Sequence, residues 1–139
     1  MGEKMEEVRK LRAELSDKWQ KYIDDGIVLS EEDKRRILKE NNEKLKPVAR
    51  EATREWLIER GIIKDPKTLD EYLEGRPVTV KESLDIRFAN SCKWEVFFEN
   101  GGIMTTDIVK EMKDDNKKVG EICRLAYLEE YKNQQYQRT

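Results

Sequence analysis

Four carboxylates in the central part of the sequence have side chains that could do chemistry: Asp85, Glu95, Glu99 and Asp107. Paired acids can catalyse glycoside hydrolysis or hold Mg²⁺ through their oxygen atoms. Metal-dependent nucleases often place an acid on one strand and a Glu-x-Lys sequence on the next. Here Val96 and Phe97 follow Glu95, so that lysine is absent. A carboxylate-based magnesium hydrolase is therefore only the third hypothesis, and a solvated strand face is the favoured interpretation.

The chain contains no histidine, which removes the commonest general base and the commonest transition-metal ligand. Ser-His-Asp and Cys-His catalysis are excluded with it. Cys92 and Cys123 lack CxxC spacing and favour neither a disulfide framework nor a zinc site. The Asn100-Gly101-Gly102 sequence lacks the context of a phosphate loop and predicts a hairpin turn. We therefore predict a non-enzymatic protein without a cofactor or a metal.

The densest basic residues lie on the segment predicted to form the second helix. They are Lys34, Arg35, Arg36, Lys39, Arg50 and Arg54. Such a strip could contact nucleic-acid phosphates, with binding that falls steeply with salt. Acidic residues are interleaved with it, which favours an ion-paired helix surface. A nucleic-acid-binding regulator is therefore the alternative function.

Aromatic residues supply the candidate contacts for a protein partner. Phe97 lies between Glu95 and Glu99, and on a strand it would point away from Trp94 and Phe98. An exposed Phe97 could anchor an interface, whereas a covered Phe97 would belong to the core. Tyr131 and Tyr136 on the last predicted helix are either binding residues or a half-buried helix end. The predicted partner-binding residues are Phe97, Glu95, Glu99, Tyr131 and Tyr136.

Composition indicates one folded domain with a thin core and a heavily charged surface. The 139 residues are 37% hydrophobic and 42% charged, yet the net charge is only −2. Disorder by composition requires low hydrophobicity together with high net charge, so a folded chain is expected. Neither a membrane span nor a signal peptide is recognisable, and we expect a cytoplasmic protein that does not bind membranes.

Residues 1–61 predict an antiparallel helical hairpin. Apolar residues recur at steps of three and four from Met5 to Ile23, and Gly26 suits a helix C-cap. Ser30 before three acids predicts the start of a second helix, which Pro47 should kink or divide.

The rest of the chain predicts an α+β fold that is mostly α. Residues 62–77 form a connector, in which Thr68 and Glu71 are typical of a capping box. Residues 78–105 alternate between apolar and polar positions and predict a small antiparallel sheet with a β-hairpin. Residues 106–135 predict C-terminal helices.

The leading function from sequence is a non-catalytic protein-binding module: an adaptor, subunit or inhibitor of a larger protein machine. Small charged proteins without motifs are common among phage and mobile-element genes that inhibit host enzymes, so a phage protein is one form of this hypothesis. The apolar stripe of the first helix also predicts a homodimer. Another protein is the expected partner, and nucleic acid is the alternative.

Overall fold

A computed structural model of the chain describes residues 2–64 and 67–138, with side chains as far as residue 135. In these residues all the regular secondary structure is α-helical. The helices are α1 (Glu3–Asp24), α2 (Glu31–Glu59), α3 (Leu69–Glu74), α4 (Val80–Glu99) and α5 (Thr106–Arg138). The described part of the chain contains no β-strand, so the predicted α+β fold is wrong.

The segment predicted as a sheet forms α4, a single helix of 20 residues. Its buried residues recur at helical steps of three and four: Ser83, Ile86, Asn90, Trp94 and Phe97. The alternation that predicted a strand included Leu84 and Phe88, which are each 46% exposed. These two apolar residues lie outside the buried face, so the alternation of apolar and polar residues did not indicate which side chains are buried.

Both ends of α4 are defined by local hydrogen bonds. Thr79 caps its start, since the Glu82 backbone N–H donates to Thr79 Oγ1 at 3.1 Å and Thr79 Oγ1 donates to Glu82 Oε1 at 3.0 Å. Gly101, with φ of 99°, follows its end. The Gly102 N–H donates to the Phe97 carbonyl at 2.9 Å, which is the six-to-one hydrogen bond of a Schellman motif. The paired glycines therefore end a helix and do not turn a hairpin.

The chain divides into two compact units, each described by itself. The first extends as far as Trp56 and includes Lys93–Thr105. Its buried apolar residues are Val8, Leu45, Ala49, Ala52, Trp94 and Phe97. The predicted start of α2 is confirmed, because Ser30 Oγ accepts from the Asp33 N–H at 3.1 Å. Of the two alternatives predicted at Pro47, a kink or a division, the division is wrong, because α2 is helical on both sides of this residue.

An aromatic cluster anchors the C-terminal part of α4 in the first unit. The Phe97 ring lies 5.7 Å from the Trp94 ring and 5.1 Å from the Phe98 ring, both edge to face. Gly102 packs directly on Phe97: a methyl group there would lie within 2.6 Å of three ring atoms. The glycine is thus required both by the helix end and by the close approach of this ring.

A side-chain amide fastens the loop after α4 to α2. Asn42 Nδ2 donates to the Ile103 carbonyl at 2.9 Å, and Asn42 Oδ1 accepts from the Ile103 N–H at 3.0 Å. The Asn42 side chain is 3% exposed. Both hydrogen-bonding groups of one loop residue are therefore satisfied by one residue of α2.

The second unit comprises Leu57–Cys92 and the residues from Thr106 onwards. Its buried apolar residues are Leu57, Ile86, Ile108, Val119, Ile122 and Ala126. The capping box that starts α3 is confirmed, with Thr68 Oγ1 accepting from the Glu71 N–H at 3.2 Å. Residues 106–138 form one helix of 33 residues rather than the several predicted.

Two contacts in the second unit hold its helices to α5. Lys118 Nζ lies 3.1 Å from Asp70 of α3 and 3.1 Å from Asp114, and its hydrogen bonds to these carboxylates, Asp70 first, raise the pKa of Lys118. Cys123 Sγ lies 3.7 Å from the Ser83 carbonyl of α4 and donates to it. Both cysteines are free thiols.

Candidate functional site

The C-terminal end of α5 carries a continuous exposed stretch. Val119, Ile122 and Ala126 face the core of the second unit at steps of three and four. The next positions in that series, Glu129 and Glu130, are charged, so the buried stripe ends at Ala126. Every residue from 127 to 135 is exposed although the backbone is still helical.

Three large apolar side chains lie on this exposed stretch. Tyr127 is 52% exposed, Leu128 is 42% exposed and Tyr131 is 59% exposed. Tyr127 and Tyr131 are four residues apart, so they lie on the same side of the helix. Together with three polar residues they form one open surface of α5, which we call the α5 groove: Arg124, Tyr127, Leu128, Glu130, Tyr131 and Gln134.

An ion pair sets the charge at one end of the α5 groove. Arg124 Nε donates to Glu121 Oε2 at 2.9 Å. This hydrogen bond lowers the pKa of Glu121 and raises that of Arg124, so both groups stay charged at neutral pH. Glu130 lies on the groove itself, and the surface therefore combines apolar rings with charges of both signs.

The α5 groove is lined by residue types that are common in contacts between proteins. Tyrosine and arginine are the residue types enriched among the energetically dominant residues of interfaces, because they combine a large contact area with hydrogen-bonding groups. Among the residues that the structure describes, no group of three or more potential ligands could hold a metal ion. The groove residues include no histidine or cysteine that could serve as a base or nucleophile.

The predicted partner-binding residues fall in different environments. Phe97 is 2% exposed, so the covered alternative is the one that the structure confirms. Glu95 and Glu99 are exposed one turn apart on α4, and without an exposed Phe97 they have no aromatic anchor between them. Tyr131 is exposed, whereas the side chain of Tyr136 lies outside the described residues.

Of the three large apolar residues in the groove, Tyr127 and Leu128 were not predicted from sequence to be exposed. By residue type alone Tyr127 would be placed in the core, because it follows Ala126 in an apolar run. At 100° per residue, however, it lies about 100° away from the middle of the stripe formed by Val119, Ile122 and Ala126. That displacement, read from the periodicity, is the signal that identifies Tyr127 as exposed. Leu128 lies still farther round the helix.

The carboxylates proposed for magnesium chemistry do not converge. Asp85 and Glu95 lie ten residues apart on α4, which is about 15 Å along the helix axis. Asp85 lies 3.9 Å from Lys81, an ordinary pairing of residues one turn apart. Asp107 lies in the first turn of α5, where an acid suits the helix dipole. The magnesium-hydrolase hypothesis required convergence and therefore loses its basis.

The basic strip lies on α2 and is exposed at all six predicted positions: Lys34, Arg35, Arg36, Lys39, Arg50 and Arg54. The predicted ion pairing is confirmed at two of them. Lys34 lies 3.4 Å from Glu31, and Arg36 lies 3.4 Å from Asp33. Exposed pairs of this kind contribute about 0–1 kcal/mol each, so they can exchange for an external anion.

No protein-family model matches the chain, and neither a curated protein nor a solved structure shows significant similarity to it. Among the described helices, none combines the length and the apolar character needed to cross a membrane.

Proposed function

We propose that the protein is a non-catalytic protein-binding module, an adaptor, subunit or inhibitor of a larger protein machine, and that the α5 groove is its contact surface. The observation that carries the proposal is the exposure of Tyr127, Leu128 and Tyr131 on a helix end that adds nothing to the core. The proposal places the protein in the cytoplasm, where thiols such as Cys92 and Cys123 stay reduced.

The described C-terminal end of α5 lacks tertiary packing, which a bound partner would supply. Short helices without tertiary contacts are marginal in water, because most helical stability in proteins comes from packing of an apolar face. Residues 127–135 have no buried face. A partner that covers Tyr127 and Tyr131 would supply this packing and bury two large rings at little cost in side-chain entropy.

The charges of the α5 groove favour a protein partner over a nucleic acid. Arg124 is its only cation, and it is already paired with Glu121. Glu130 would repel a phosphate backbone. The complementary surface is therefore an apolar pocket for the tyrosine rings, with polar groups of both signs at its rim.

Replacing Tyr127 and Tyr131 together with serine is expected to weaken partner binding by at least about 100-fold, because aromatic residues at the centre of an interface each contribute about 2 kcal/mol or more. The partner is first captured by the tagged protein from nuclease-treated extract of the source cell. Its affinity for the purified wild type and the double variant is then measured by calorimetry.

The matched control is Val28→Ser, which removes an apolar side chain that is 94% exposed in the loop between α1 and α2. It should bind as the wild type does. Undiminished affinity of the double variant would contradict the proposal, as would a partner that is captured from untreated extract but not after nuclease treatment. Light scattering of the purified protein tests the predicted homodimer separately, since a second copy is the alternative occupant of the groove.

A further inference from the structure

One flank of α2 concentrates positive charge in a way that the sequence does not show directly. Because α2 is a single helix through Pro47, the two basic groups predicted at residues 34–39 and 50–54 lie on one rod. At 100° per residue, six basic residues fall within a sector of about 100°. We call this sector the basic flank: Arg35, Arg36, Lys39, Lys46, Arg50 and Arg54. Lys34 lies outside it.

The acidic residues of α2 are mostly on the other side. Only Glu32 and Glu43 project from the basic flank, so its net charge is +4. A second sector contains Asp33, Glu40, Glu51 and Glu55, with Lys44 among them. α2 carries equal numbers of acidic and basic residues, but they lie mostly on different sides of the helix. A partner that binds the basic flank therefore contacts a positively charged surface, although the net charge of the whole chain is −2.

The basic flank also lacks the apolar anchors of a protein interface. Within residues 31–57 the described chain contains no exposed large hydrophobic side chain, in contrast to the α5 groove. An interface between proteins needs such anchors, whereas binding to a phosphate backbone depends on cations alone. Arginine, which is four of the six cations, also suits phosphate because it donates two parallel hydrogen bonds.

We propose that the basic flank of α2 binds the phosphate backbone of a nucleic-acid duplex without reading its sequence. From Arg35 to Arg54 the helix extends about 28 Å. A duplex presents one charge per about 1.7 Å of its axis, so phosphates are available to each of the six cations along this length. The site uses residues distinct from the α5 groove and is independent of the proposed function.

Salt dependence gives the proposal a measurable signature. Each neutralised phosphate contributes about −0.9 to the slope of log K against log salt. Glu32 and Glu43 offset two of the six cations of the flank, so about four phosphates are neutralised and the slope should be about −3.6. The association constant should then fall about 100-fold between 50 and 200 mM salt. The anisotropy of a labelled 24-base-pair duplex, prepared in two unrelated sequences, measures it, and both sequences should bind alike.

The deciding variant is Arg35→Gln/Lys39→Gln/Arg50→Gln, and its control is Lys10→Gln/Lys18→Gln/Lys21→Gln on α1. The control changes the net charge by the same amount at exposed positions of another helix. The α2 variant should reduce the slope by about 2.7, while the control should retain most of it. If circular dichroism shows that the triple α2 variant has lost helicity, Arg50→Gln alone should reduce the slope by about 0.9.

Three results would overturn the proposal. The first is that the wild type fails to bind duplex at 50 mM salt. The second is that the two triple variants lose affinity equally, which would mean that binding depends on the net charge of the protein and not on the basic flank. The third is that poly-L-glutamate competes as well as unlabelled duplex at equal charge, which would mean that the basic flank binds acidic protein surfaces rather than nucleic acid.

Discussion

Phe97→Ala is expected to lower the free energy of unfolding by about 3–5 kcal/mol, the usual cost of deleting a buried aromatic ring. The ring is 2% exposed and contacts Trp94, Phe98 and Gly102. Its removal would leave a cavity that the backbone of Gly102 cannot fill. Small domains are stable by about 5–15 kcal/mol in total, so the loss should be evident as a shifted midpoint in urea denaturation followed by circular dichroism.

The matched control is Phe88→Ala on the same helix. Phe88 is 46% exposed, so the identical change should cost less than about 1.5 kcal/mol. Equal losses for the two variants would mean that Phe97 is not in the core and would reopen the alternative that it is an exposed interface anchor.

Asn42→Ala is expected to lower the free energy of unfolding by about 1–3 kcal/mol. The change removes both hydrogen bonds to Ile103 and leaves a backbone donor and acceptor without their partner. Residues 42 and 103 are distant in sequence, so the bonds close a long loop and also order the segment after Gly102. Hydrogen exchange of the Ile103 amide should accelerate together with the loss of stability.

Asn41→Ala is the control for this prediction, since it makes the same change at the adjacent position of α2. Asn41 is only half-buried, and the cost should remain below about 0.5 kcal/mol. If the two variants are equally stable, or if the Ile103 amide exchanges at the same rate in both, the hydrogen bonds between Asn42 and Ile103 do not stabilise the fold.

The N-terminal elements could be predicted from sequence because local signals agreed with one another. Ser30 and Thr68 cap helices as expected, and Gly26 and Gly61 follow α1 and α2 with positive φ. The start of α4 was not predicted, because the apparent alternation from Leu84 to Phe88 indicated a strand and the capping residue Thr79 was not recognised. A two-residue period over five residues is also compatible with a helix in which half-exposed positions are apolar.

The candidate site was only partly predictable for a related reason. From sequence Tyr131 was either a binding residue or a half-buried helix end, and its exposure excludes the second alternative. Phe97 was proposed from a strand geometry that does not exist; on a helix its position lies with Ile86 and Trp94 on the buried face. Exposure depends on the phase of the periodic pattern, and the phase is known only once the element type is correct.

The most direct test of the account is hydrogen–deuterium exchange of the protein alone and in complex with its captured protein partner. The amides of residues 127–135 should exchange rapidly in the free chain, because no side chain there is buried. In the complex the same amides should be strongly protected, as a partner seated on Tyr127 and Tyr131 requires. Protection confined to other segments, with residues 127–135 exchanging as fast as in the free chain, would contradict the assignment of the α5 groove as the contact surface.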